Sequence, residues 1–227
     1  MTTEVTKTEK NEVAKSSQAF ITAMFEKRRN DFLIANEGLG LDFVHLTTWL
    51  SINAKGQFVD KDNTDLNYGD NLDVVIASGE ERFSLWGKDG TTEKGNLIVS
   101  ELTKERAIET FKEWCENNPG SADNYEESDI QSRYMAFVVP VASLLTDAPK
   151  VYILGMAPTT KIAYGQWAYA LYSGKEAARG IPKGTGVNRV ITRLKTVDKQ
   201  NKDKENYIAI EFSAVEMFDE TKHTLQQ

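Results

Sequence analysis

Residues 150–172 read KVYILGMAPTTKIAYGQWAYALY, and residues 187–195 read VNRVITRLK. The first stretch opens as a short apolar strand, Lys150 to Gly155, and continues as a helix from Lys161 to about Tyr172. Tyr164, Trp167 and Leu171 recur there at i, i+3 and i+7 with alanines between them, a stripe that belongs in a core. Tyr169 and Tyr172 fall off that stripe and are expected at the surface. A glycine-rich loop, Gly174 to Gly186, leads into the second stretch, a strand in which charged and apolar residues alternate. Its partner is Tyr207 to Phe212, reached through the charged linker Val197 to Asn206. A helix set between two of the strands of a strand-rich chain fits a mainly β (α+β) fold, a small closed five-stranded barrel with helical additions.

Working outward, Leu41 to Val99 also reads as strands. Phe43 to Ile52 is rich in β-branched and aromatic residues, and Asn53–Gly56 is a turn before Phe58 and Val59. After a polar loop, Asp60 to Asp70, Leu72 to Ala77 turns at Ser78-Gly79 and returns as Arg82 to Trp86. Phe83 and Leu85 alternate with Arg82, Ser84 and Trp86, so Arg82 and Trp86 share a face that need not be core. Leu102 to Asn117 is the clearest helix, with Ile108, Phe111, Trp114 and Cys115 on one stripe and Asn-Pro-Gly at its end. Arg133 to Val141 is a further strand. Nearer the N-terminus, Val13, Ser17, Phe20, Met24 and Phe32 share a helical face within 11–35, which predicts a helix docked on the core or on a second subunit.

Composition excludes several classes. No apolar run approaches the roughly 20 residues that cross a bilayer, and the polar start lacks a signal core, so a cytoplasmic protein without membrane partners is expected. Cys115 is the only cysteine and stands with only His45 and His223, which rules out an internal disulfide and a Cys/His zinc site. Asp60, Asp62, Asp65 and Asp70 approach calcium-loop spacing, but Asp65 occupies the position that requires glycine. No Walker A loop, GxSxG, HExxH or PD-(D/E)xK pattern is present, so no catalytic residue, metal or cofactor is assigned.

Charge is distributed unevenly. Residues 150–204 hold eleven Lys/Arg against three acids, inside a chain of net charge −7. Local potential rather than net charge decides what a groove attracts. Cations placed among flat rings are the requirement of a single-stranded nucleic-acid track, in which phosphates are neutralised and unpaired bases stack. On the late strand Arg189, Ile191, Arg193 and Lys195 share a parity and make one face mostly cationic. Lys183 joins them from a loop whose Gly184-Thr-Gly186 leaves backbone N–H groups open to phosphate. The phosphate-binding set is therefore Lys161, Arg179, Lys183, Arg189, Arg193 and Lys195, with Arg82 beside them. The stacking set is Tyr164, Tyr169, Tyr172, Trp86 and Tyr134, with Tyr152 as a further ring.

The order of elements over about residues 70–218 resembles that of bacteriophage single-stranded DNA-binding proteins, the helix-destabilising type of T-even phages. Ser132 to Val141, Lys150 to Leu154, Lys161-Ile-Ala-Tyr-Gly165 with its helix, Gly186 to Lys195, and Tyr207, Phe212 and Met217-Phe-Asp219 carry the resemblance. It implies a five-stranded oligonucleotide/oligosaccharide-binding (OB-like) barrel over residues 41–218, an arm and helix over 1–40, and a tail over 219–227. It also implies a non-enzymatic protein that coats unpaired DNA during phage replication or recombination in the host cytoplasm. Replication or recombination proteins would be partners, and the N-terminal helix is a place for self-association. The zinc ribbon and strongly acidic tail of that family have no counterpart here. Two rival readings stand beside it: a virion or assembly protein whose basic patch meets acidic neighbours, and a metal-dependent DNA-processing enzyme.

Overall fold

The computed structural model describes residues 21–24, 26–27, 29–35, 37, 47–200, 204 and 206–225. It is a mixed α/β fold whose chain divides into two compact units. The larger comprises Met1–Ser78, Ala136–Leu154 and Ile162–Gln227; the smaller comprises Gly79–Met135 and Gly155–Lys161. The strands are β1 (Thr48–Ile52), β2 (Phe58–Asp60), β3 (Asn67–Gly69), β4 (Asn71–Trp86), β5 (Leu97–Glu101), β6 (Gln131–Pro140), β7 (Tyr152–Met156), β8 (Val190–Gln200) and β9 (Asn206–Met217). The two long helices are α1 (Lys104–Asn117) and α2 (Pro158–Ser173). Strand order is β3-β2-β1-β7-β6-β4-β8-β9, with β5 paired to β4. β1 and β7 run parallel; β4–β8 and β8–β9 are antiparallel. Nine strands thus stand where the sequence reading counted five, and β3 lies inside the stretch read as polar loop.

Within the larger unit the order of strands forces the sheet to curl. β3 and β4 stand five steps apart in the order, which in a flat sheet is about 24 Å at the usual strand spacing. Only Asp70 separates them in the chain, a gap that spans no more than about 7 Å. The curl brings the turn between β1 and β2 against β8, where the Thr196 hydroxyl donates to the Gly56 carbonyl.

Two layers cover this sheet. On one side Val75 and Ile191, which face each other across β4 and β8, join Val139, Leu144, Val151, Phe218 and Ile21 in a buried cluster. The helical residues at 21–35 therefore dock on the chain's own core through Ile21, with Met24 beside it. Val13, Ser17, Phe20 and His45 lie outside the described residues. On the other side α2 lays Tyr164 and Trp167 on Phe212 of β9, with ring centres 5.5 and 5.9 Å away. Trp167 is 6% exposed, the core residue its spacing predicts. Beyond Phe218 the chain folds back: His223 stacks on Phe218, and the Leu225 N–H donates to the Leu144 carbonyl.

The smaller unit packs α1 on β4 and β5 through Leu85, Val99, Ala107, Phe111, Tyr125 and Ile130. Thr103 caps α1 by accepting from the Arg106 N–H, satisfying one of the donors a helix start leaves open. Cys115 is half-buried, and burial pushes its thiol above the ordinary range, so it is a packing residue.

Candidate nucleic-acid interface

Folding neutralises much of the basic stretch. Lys150 pairs with Asp60 at 3.5 Å, Arg179 with Glu176 at 3.0 Å, and Lys199 with Glu211 at 3.2 Å. Arg193 makes a two-pronged contact with Asp73, 2.7 and 2.8 Å long. That hydrogen bonding lifts the Arg193 guanidinium pKa further above its already high value. Lys161 pairs with Glu81 and also donates to the Ser132 hydroxyl at 2.7 Å. The bonds from Lys161 and Ser132 hold the Glu81 carboxyl below the usual range. Because Ser132 donates to that carboxylate rather than to a base, the Ser–Lys–Glu cluster contains no activated nucleophile. The chain's linear charge excess is thus offset in space by acids brought from residues 60, 73, 81 and 211.

The expected single track does not form. Arg189 is not on the late strand; it sits in the 3-10 turn Val187–Arg189, its carbonyl accepting from the Phe218 N–H. Ile191 is buried, which leaves Arg193 and Lys195 as the exposed cations of β8. Side chains alternate along a strand, so Arg193 and Lys195 point away from the face on which Leu194 and Phe212 meet α2. The exposed rings of α2 and the cations of β8 therefore lie on opposite sides of this part of the sheet. Arg82, Trp86, Tyr134 and Lys161 belong to the smaller unit. There Arg82 pairs with Glu80 at 2.6 Å and donates to the Ser100 carbonyl, and Trp86 is half-buried. Tyr134 covers Gly79 so closely that a Cβ at 79 would stand 2.5 Å from its ring, which makes it a packing residue.

Two further rings are also committed. Tyr164 is half-buried against Phe212. Tyr152 is fully buried and donates to Asp60 at 3.1 Å while sharing a hydrogen bond of 2.7 Å with Tyr68. Burial pushes the Tyr152 hydroxyl pKa strongly upward, and the bonds to Tyr68 and Asp60 add to this. Burial alone would raise the Asp60 carboxyl. The Asp62 N–H, the Tyr152 hydroxyl, the Asn63 N–H and the Lys150 ammonium outweigh it and hold the group below the usual range. Asp60 is thus saturated by its own chain, and among the described residues no acidic or histidine cluster could hold a metal ion.

One group of the expected residues does come together. Tyr169 and Tyr172 are 65% and 64% exposed, one turn apart on the outer face of α2. The loop after the helix returns to its end, where the Gly184 N–H donates to the Tyr172 carbonyl at 2.9 Å. Lys183 packs on Gly174, whose φ of +85° ends the helix in the left-handed region; a Cβ there would meet Lys183 at 3.1 Å. Lys175, in the same turn, and Lys183 are exposed and form no ion pair among the described residues. Arg179 adjoins them, held by Glu176 and by the Ala214 carbonyl at 3.3 Å. The negative end of the helix dipole favours cations here whatever the ligand. The expected amide cradle is absent, because Gly184 and Thr185 already spend their N–H groups on Tyr172 and Pro182.

Sequence reasoning passed over Lys175 as a site residue, and it passed over a signal in plain view. From Ile162 to Ser173 the helix carries no charged side chain. A surface helix ordinarily turns charges to water. Here the outer face shows Ile162, Gly165, Gln166, Tyr169 and Tyr172, all exposed.

No family model, curated protein or solved structure matches this chain. No helix among the described residues is long and apolar enough to cross a membrane.

Proposed function

We propose that the protein binds single-stranded DNA without regard to sequence, at the C-terminal end of α2. The observation that carries this reading is the pair of exposed rings, Tyr169 and Tyr172, beside two cations that no acid neutralises, Lys175 and Lys183. Exposed rings accept any base by stacking, worth about 1–3 kcal/mol per base, and lysines meet the phosphates between them. Duplex DNA hides the faces of its bases, so a site built on stacking prefers unpaired strands. Trapping such strands lowers duplex stability by mass action, with no catalytic step.

The resemblance in element order supplies the finer parts of the proposal. In it, five of the strands form an OB-like barrel, and the protein coats unpaired strands during phage replication or recombination in the host cytoplasm. Arg189, Arg193, Lys195 and the residues of the smaller unit are not assigned to this site.

Fluorescence anisotropy with labelled poly(dT), matched duplex and matched RNA over a salt series tests the function. Tight binding to poly(dT), weaker binding to duplex and a falling affinity with salt are expected. Equal binding to duplex and single strand, or none to either, would contradict it.

A further inference from the structure

The uncharged outer face of α2 has a second property: it is complementary to itself. Ile162, Gly165, Tyr169 and Tyr172 follow the three-and-four spacing of a helix–helix seam. A Cβ at Gly165 would meet nothing within 4 Å, so the surface has a hole there, flanked by the exposed side chains of Ile162 (62%) and Tyr169 (65%). Two such helices packed antiparallel about a twofold axis at residue 167 set Tyr169 of each over Gly165 of the other. The same axis sets Tyr172 of each against Ile162 of the other. Both large residues meet a smaller one at once, which a shift of the axis by one residue would undo.

Charge permits the contact as well. No charged group lies on the stripe to repel its twin, and Lys175 lies eight residues from the axis. At the rise of a helix the two copies' lysines would be about 24 Å apart, well beyond the screening length of about 8 Å in physiological salt.

We propose that a second copy of this chain pairs through the outer face of α2, and that single-stranded DNA and this pairing compete for Tyr169 and Tyr172. The competition rests on the strand-binding reading above; the pairing does not. The stripe presents few large side chains against the 20–30 residues a side of a standard interface. The dimer is therefore weak and yields to a ligand that takes the same rings.

Sedimentation equilibrium of the full chain over a range of concentrations tests this, with and without an oligo(dT). The expected result is a mass rising toward twice that of the chain with concentration, and falling back to one chain per complex when oligo(dT) is added. Gly165→Leu fills the hole and should remain monomeric while binding oligo(dT) within about twofold of wild type. Ile162→Glu, at the other layer, should also be monomeric. A wild-type chain that stays monomeric throughout, or a Gly165→Leu variant that still dimerises, overturns the pairing. A dimer that takes up oligo(dT) without dissociating overturns the competition. A monomeric Gly165→Leu variant that binds no oligo(dT) sinks the strand reading, and the competition with it, while the mass measurement still judges the pairing.

Discussion

The strand β8 and the end of helix α2 lie close together in sequence, both rich in cations, yet the fold treats them differently. On β8 the cations meet carboxylates from neighbouring strands: Arg193 faces Asp73 on β4, and Lys195 stands opposite Glu211 on β9, which Lys199 also engages. At the end of α2 the cations Lys175 and Lys183 have no such partner among the described residues, and the rings beside them face water. A cation already matched across a sheet is part of the scaffold's surface chemistry. An unmatched cation beside an exposed ring is available to a ligand. Local charge density in a sequence does not distinguish the two cases.

The largest effect expected from breaking a matched cation is at Asp60, the buried partner of Lys150. Removing a buried charge leaves its partners stranded, at a cost of about 3–5 kcal/mol. Asp60→Ala should lower stability to denaturant by that order, because Tyr152 and the amides of Asp62 and Asn63 lose their acceptor. The depressed Asp60 carboxyl also sets a pH dependence. Its stabilisation is fully present above the ordinary carboxylate range and is lost as pH falls through the lowered value of the folded state. Wild type should therefore lose stability on acidification into that range, and Asp60→Asn should lose less of it. Equal acid profiles for the two proteins would remove Asp60 from this account.

Next in size are the rings. Tyr169→Ala and Tyr172→Ala should each weaken oligo(dT) binding by about 1–3 kcal/mol. Thermal midpoints should hardly move, because both side chains are mostly exposed. A large stability loss with unchanged binding would make them packing residues. Smaller again is the contribution of the unmatched lysines. Replacing both Lys175 and Lys183 with Gln should reduce the log–log salt slope of binding by about 1.4, at roughly 0.7 per phosphate on a single strand. The smallest change is expected at Arg193. Arg193→Ala should leave oligo(dT) affinity unaltered and cost less than about 1 kcal/mol of stability, the usual worth of an exposed ion pair. A large drop in affinity there would restore the β8 face as the binding track.

Elements whose identity rests on local pattern were readable in the sequence. The stripe and terminal Asn-Pro-Gly placed α1 within two residues of Lys104–Asn117. The spacing of Tyr164, Trp167 and Leu171 separated the buried face of α2 from Tyr169 and Tyr172. What was not readable depends on residues distant in the chain. Asp73 lies 120 positions from Arg193, so the parity that grouped Arg189, Arg193 and Lys195 carried no information about the acid opposite. The same parity assumed an unbroken strand, whereas the chain before Val190 is a 3-10 turn. Tyr152 looked like an exposed ring because its partners, Asp60 and Tyr68, come from the other end of the larger unit's sequence. β3 went unread because three residues are too few to show an alternation.

The central claim is that unpaired DNA lies on the rings of α2 and not on the cations of β8. Photocrosslinking a bromodeoxyuridine-substituted oligo(dT) to the full chain, followed by peptide mapping, tests it most directly. Adducts on Tyr169 or Tyr172 are expected, and they should disappear when unlabelled oligo(dT) is added in excess. Adducts confined to the face of β8, around Arg193, Lys195 and Tyr207, would contradict it.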